Sequence, residues 1–220
     1  MRTFQIQLSA LMGLFLSACL SGTHFYTPPA AYEIVNSKTI PMNREDTWKA
    51  LVSGISKSFF VINNLDKDSW FANLSFSTDP EKYVDGGMLH NTVKEFWKTT
   101  IREISLAQSS DFYRFYKEGF PYPIRNVFRD VALDGIANIL IEEIDANSSR
   151  LSVNVNYRVS TFLDMSYQAY DFVRKMYYKV DDTQEDTATF NTGGTGRLKK
   201  GQGEFTSTGR LEQELLDLVQ

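Results

Sequence analysis

Leu151–Val159 reads LSVNVNYRV, and it decides the fold: Leu151, Val153, Val155, Tyr157 and Val159 alternate with Ser152, Asn154, Asn156 and Arg158. Alternation of this kind gives a strand with one buried and one wet face. The preceding run, 136–144, is also strand-like, and Asp145-Ala146-Asn147-Ser148-Ser149 between them is turn chemistry. The chain therefore contains a hairpin over 136–159.

Working outward, a second hairpin is expected from Phe59-Phe60-Val61-Ile62, the polar turn Asp66-Lys67-Asp68-Ser69, and the alternation of Trp70, Ala72, Leu74 and Phe76. A helix should precede it. Asn43 is a good N-cap with Asp46 three residues on, and Trp48, Leu51, Val52 and Ile55 repeat at helical spacing. A closing helix is expected after Ser207 or Thr208, with Leu211, Leu215, Leu216, Leu218 and Val219 as its apolar stripe. Between these, 88–135 is less regular. Val93, Phe96, Trp97, Ile101 and Ile104 fit a helical stripe, although Thr99-Thr100-Ile101 also reads as strand, and 164–186, which fits neither period well, reads as strand or helix. The expected fold class is α+β: an antiparallel sheet with an N-terminal amphipathic helix and a C-terminal helix packed on one face.

At the other end of the chain, Leu16-Ser17-Ala18-Cys19 closes a short apolar run that follows Arg2. The run is shorter than the ~20 residues of a spanning helix. It has the parts of an export signal, and it resembles the lipobox of bacterial lipoproteins. That resemblance implies residues 1–18 as signal and Cys19 as an acylated N-terminus. Leu20 follows in place of the aspartate that retains such proteins in the inner membrane, which implies the outer membrane with the domain in the periplasm. Residues 19–32, with Gly22, Pro28 and Pro29, are expected to form a flexible tether, and 33–220 a single domain.

The chain carries 23 basic and 27 acidic residues, a formal charge of −4, which leaves no electrostatic footprint for nucleic acid. Cys19 is the sole cysteine, so disulfides and cysteine metal sites are excluded. The only histidines, His24 and His90, have no thiol partner, and no serine sits in a Gly-x-Ser-x-Gly elbow. Glu142 and Glu143 are adjacent strand residues, point to opposite faces, and make a poor glycan-cleaving pair. Asp181-Asp182 and Glu185-Asp186 read as a solvated acidic loop without calcium-loop spacing, and Gly193–Gly203 as a flexible basic hairpin tip without P-loop spacing. No catalytic residue, metal site or cofactor is expected.

The order strand, Trp-bearing helix, hairpin, hairpin, terminal helix resembles small envelope lipoprotein domains, such as the BamC-type, helix-grip domains of the β-barrel assembly machinery. The fragments Pro80-Glu81-Lys82-Tyr83-Val84-Asp85-Gly86-Gly87 and Thr206-Ser207-Thr208-Gly209-Arg210-Leu211-Glu212 look like recurring pieces of proteobacterial lipoproteins. In those proteins cysteines near both fragments are placed to pair. This chain has Gly86 and Glu204 or Phe205 there, so such a bridge is missing.

Two non-enzymatic functions follow. The first is a structural or accessory component that docks on envelope protein partners, such as a barrel-assembly or secretion apparatus. Its interface is expected at the aromatic stretch with Tyr113, Phe115, Tyr116, Phe120 and Tyr122. The second is a carrier of a lipid or small hydrophobic ligand. In both, the lipid on Cys19 holds the protein to the membrane.

Overall fold

The computed structural model describes residues 20–95, 97–116, 124–171, 173–201 and 203–219. Cys19 and the rest of the lipobox, and the candidate interface residues Phe120 and Tyr122, lie outside the described residues.

The elements run β1 (Leu20–Thr27), β2 (Ser37–Ile40), α1 (Arg44–Ile55), β3 (Val61–Asp66), β4 (Phe71–Thr78), α2 (Pro80–Tyr83) and β5 (Val84–Asp85). They continue β6 (Met88–Glu95), β7 (Lys98–Ser105), β8 (Ser110–Tyr116), β9 (Ile124–Asp145), β10 (Ser148–Asp171) and β11 (Met176–Asn191). Last come β12 (Thr195–Arg197), β13 (Glu204–Ser207) and α3 (Arg210–Leu216). Thirteen strands against three short helices among the described residues correct the expected α+β, helix-grip class. This is a β-rich fold of antiparallel sheets.

The β9–β10 hairpin is its spine. It contains the expected turn at 145–149, but its strands run for 22 and 24 residues rather than nine. Each strand is long enough to take two different neighbours. β9 pairs with β4 along 133–140 and with β8 along 124–130. β10 pairs with β2 along 149–152 and with β11 from Asn156 onward. The ribbon thus has a lower half near the 145–148 turn and an upper half toward 124 and 171.

In the lower half the inner face is a dense apolar core. Leu133, Ala137, Ile139 and Ile141 of β9, Leu151, Val153 and Val155 of β10, and Ala72, Leu74 and Phe76 of β4 are all buried. α1 begins as its sequence demands: the Asn43 side chain accepts the Asp46 N–H at 2.9 Å. Its Trp48, Leu51 and Ile55 join this core, as do Leu211, Leu215, Leu216 and Val219 from the end of the chain. Gly135 has to be glycine. A Cβ there would lie 2.1 Å from the Asn156 carbonyl and 2.7 Å from the Phe76 ring.

One acid is built into this core. Glu212 is fully buried and accepts hydrogen bonds from the hydroxyls of Tyr157 at 2.8 Å, Thr192 at 2.9 Å and Ser207 at 3.0 Å. Burial first, then the Glu212 charge, pushes the Tyr157 pKa well above that of an ordinary phenol. Ser207 or Thr208 was expected to cap α3. The N-cap is instead Gly209, at φ 80°, and Ser207 accepts its N–H at 2.9 Å while bonding Glu212.

In the upper half a second sheet, ordered β1-β6-β7, lies over the first, and a third joins β12, β13 and β5. Two expectations are corrected here, and one open reading is resolved. Residues 20–27, read as flexible tether, form β1, paired with β6 from Leu20↔Glu95 to Thr27↔Met88. The helical stripe at 93–104 is the β6–β7 hairpin, with Val93 and Ile104 buried and Trp97 and Ile101 exposed. Their 3–4 spacing imitates a helix only because it spans two strands and a turn. Residues 164–171 and 176–186, open between strand and helix, are the upper ends of β10 and β11. No helix among the described residues is long and apolar enough to cross a membrane.

Candidate functional site

Successive cross-strand rows show where the core ends. On the inner face Leu133, Val159 and Ala188 form an apolar row across β9, β10 and β11. The next row is Val131, Thr161 and Asp186. The one after is Arg129, Leu163 and Gln184, with Asp111 of β8 directly across from Arg129. Polar groups thus enter a face that is apolar elsewhere. At this level the two sheets part and enclose a cavity of about 540 Å³. Its walls are mostly apolar: Leu163 and Met165 of the first sheet, Leu89 of β6, and Leu106 and Phe205 from adjoining segments. The volume lies within the ~300–1,000 Å³ of typical ligand sites.

Arg129 is the exceptional residue of this wall. It continues the inward row of Val127 and Val131 and is only 3% exposed. Its Nη2 donates to the Ser105 carbonyl at 2.6 Å, while Nε and Nη1 have no hydrogen-bond partner. Burial pushes its pKa below that of an ordinary guanidinium, and the neighbouring Tyr113 and Asp111 act in the opposite sense. Asp111 does not satisfy it. The Asp111 Oδ1 accepts from Arg102 Nη2 at 3.0 Å and from the Phe112 N–H at 2.8 Å, and its buried Oδ2 is without a partner. Arg102 matches the Asp111 charge, so the positive charge of Arg129 is left over. A buried polar group without a partner costs about 1–3 kcal/mol, and more when charged. A retained cost of this kind in a cavity wall calls for a reason.

The rim of the cavity is held by a second acid. Asp186, read from sequence as part of a solvated loop, is buried. It accepts the backbone N–H groups of Lys199, Lys200 and Gly201 at 3.0, 2.6 and 3.0 Å, besides that of Thr187 at 2.8 Å. Burial alone would raise its pKa, but these N–H donors outweigh burial and hold it below the usual carboxylate range. The glycine-rich segment expected to be a free basic tip is therefore pinned over the cavity. Among the described residues no cluster of three or more His, Cys, Asp or Glu side chains is placed to hold a metal ion.

No protein-family model, curated protein or solved structure matches the chain. The site is therefore read from its own geometry.

The geometry places three residues of the aromatic stretch expected as a docking surface: Tyr113, Phe115 and Tyr116. Tyr113 is buried against Ile104 and Val127, Phe115 packs on the same cluster, and both line the cavity. Tyr116 is half-buried over Gly22, where an added Cβ would come within 2.3 Å of the Tyr116 Cβ. The strand alternation of β8 turns Tyr113 and Phe115 inward and leaves Phe112 exposed. Burial raises the Tyr113 pKa, Arg129 draws it back, and Asp111 raises it further. The His24 ring lies 4.5 Å from Phe115 and closes the cavity from β1. Sequence reading missed Arg129 and Asp186. The signal for Arg129 was present: Val127, Arg129, Val131 and Leu133 alternate, so the charge stands in the apolar register.

Proposed function

We propose that the protein binds an amphipathic molecule, with an apolar body and a carboxylate or phosphate head, in the cavity between its two sheets. The single observation that carries this is Arg129, a buried guanidinium with two unpartnered nitrogens on the wall of an apolar cavity. A guanidinium is always charged, prefers carboxylate and phosphate partners, and forms its strongest hydrogen bonds with them. A neutral apolar ligand would leave its cost in place. Tyr113 and Phe115, two of the aromatic residues that favoured a docking surface from sequence, line this cavity, so ligand carriage takes precedence over docking.

The setting proposed for this activity is the periplasmic side of the outer membrane, with anchoring through acylated Cys19. The support is the spacing of Leu16-Ser17-Ala18-Cys19 at the end of a short apolar run. The test is native mass spectrometry of protein purified gently from its own membranes, beside Arg129→Met purified the same way. The expected result is an adduct whose extracted mass identifies an acidic amphiphile and which the variant lacks. An empty wild-type cavity that also fails to take up added laurate or lysophosphatidate would overturn the proposal.

A further inference from the structure

Several hairpin ends gather where the chain enters β1. Leu20 pairs with Glu95, the last residue of β6, and Glu95 pairs with Lys98, the first of β7, so the β6–β7 turn lies beside residue 20. Gly22 packs on Tyr116, the end of β8, and Arg114 of β8 forms an ion pair with Glu95. Tyr116 pairs with Ile124, so the upper end of the β9–β10 ribbon is here too. β10 then continues past its last β9 pairing, Ser166↔Asn126, and turns back at Asp171↔Met176.

Two of these turns carry apolar residues at their tips. Trp97 on the β6–β7 turn is 97% exposed, and Val173 on the β10–β11 turn is 92% exposed. Basic residues flank each in the sequence: Lys94 and Lys98 about Trp97, Arg174 and Lys175 after Val173. Among neighbouring acids, Glu95 is matched by Arg114. Tryptophan flanked by lysine or arginine suits the boundary between lipid headgroups and acyl chains, and cations near an anionic leaflet add about 1 kcal/mol each.

We propose that this end of the molecule is a membrane-docking surface, with Trp97 and Val173 entering the headgroup region of a bilayer that contains anionic lipid. The occupant is set by position. Cys19, the residue proposed to carry the lipid, adjoins Leu20 at this end, and β1 begins at once in place of the tether expected from sequence. An acyl chain on Cys19 therefore holds these tips against the membrane rather than a dozen residues away. The inference rests on Cys19 as the point of attachment and is independent of the cavity ligand.

The test uses the lipid-anchored protein in vesicles of phosphatidylethanolamine and phosphatidylglycerol with brominated acyl chains, which quench nearby tryptophans. Intact-mass measurement first establishes whether Cys19 is acylated. If it is free, the protein is coupled through this sole thiol to a maleimide phospholipid, so failure of the anchoring reading stays separate from failure of the docking surface. Trp48 and Trp70 serve as internal references. Trp70 precedes Phe71, which pairs with Leu140, sixteen residues along β9 from Ile124 and so about 50 Å from this end. Partial quenching is expected, lost in Trp97→Ala and reduced in Val173→Asp. Emission equally unquenched in wild type and Trp97→Ala, with Trp97 open to aqueous iodide, would overturn the docking surface.

Discussion

The two halves of the β9–β10 ribbon are built from the same alternating pattern and resolve burial in opposite ways. In the lower half each inward polar group is satisfied. Glu212 has three hydroxyl donors, and the hydroxyls of Thr47 and Ser149 bond one another at 2.8 Å. In the upper half three groups, Arg129, Asp111 and Arg125, retain buried atoms without partners, and Arg129 borders open volume. Satisfied polar groups in a full core serve stability, whereas unsatisfied ones beside a cavity are a cost that a ligand removes. Substitutions in the two halves should therefore differ in kind as well as size.

The largest effect belongs to the lower half. Glu212→Ala strips the acceptor from three hydroxyls, two of them buried, and leaves a void, so a loss of about 3 kcal/mol or more is expected in urea unfolding. Unchanged stability would mean that water replaces the carboxylate. Gly135→Ala forces a Cβ against the Asn156 carbonyl and the Phe76 ring, and should cost about 2–3 kcal/mol in the same assay.

The sign reverses in the upper half. Replacing a buried, partly satisfied charge by an apolar side chain of similar length is often neutral or stabilising. Arg129→Met is expected to gain about 1 kcal/mol in the ligand-free protein while losing acidic ligands. A loss of stability comparable to that of Glu212→Ala would show that Arg129 belongs to the structural core after all.

Acid should separate the halves further. The folded pKa of Asp186 lies below its unfolded value of about 3.9, so its contribution is complete above that pH and is lost as pH falls through the folded pKa. Amide exchange at Lys199, Lys200 and Gly201 should accelerate in this acid window before the strands of the lower half open, and Asp186→Asn should remove the pH dependence. The smallest effect is at the surface. Lys38 and Asp217 are 3.3 Å apart and well exposed, and Lys38→Ala should cost roughly 0.3 kcal/mol, within the scatter of thermal unfolding.

How much of this was legible in sequence differs between the halves for a physical reason. The lower half is made of local signals: the turn at 145–149, the alternation at 151–159, and the cap at Asn43 with its helical stripe. All three appear in the structure. The upper half depends on pairings between distant residues. β1 finds β6 across more than sixty residues, and a stretch with Gly22, Thr23 and His24 carries no strong strand pattern of its own. The β6–β7 hairpin was hidden by a coincidence of spacing at Val93, Trp97, Ile101 and Ile104. The fold class failed for the same cause, because the described residues of the ambiguous segments are mostly strand. Arg129 was readable as a charge in an apolar register, yet only the second sheet reveals that the charge borders a cavity.

The most direct test of the central claim is calorimetric titration of delipidated wild-type protein with laurate and with its methyl ester, repeated on Arg129→Met. The expected result is tight binding of laurate, at least tenfold weaker binding of the ester by about 1.4 kcal/mol, and loss of that preference in the variant. Equal affinity for acid and ester in wild type, or a preference that survives in Arg129→Met, would contradict the assignment of Arg129 as the anion-binding group.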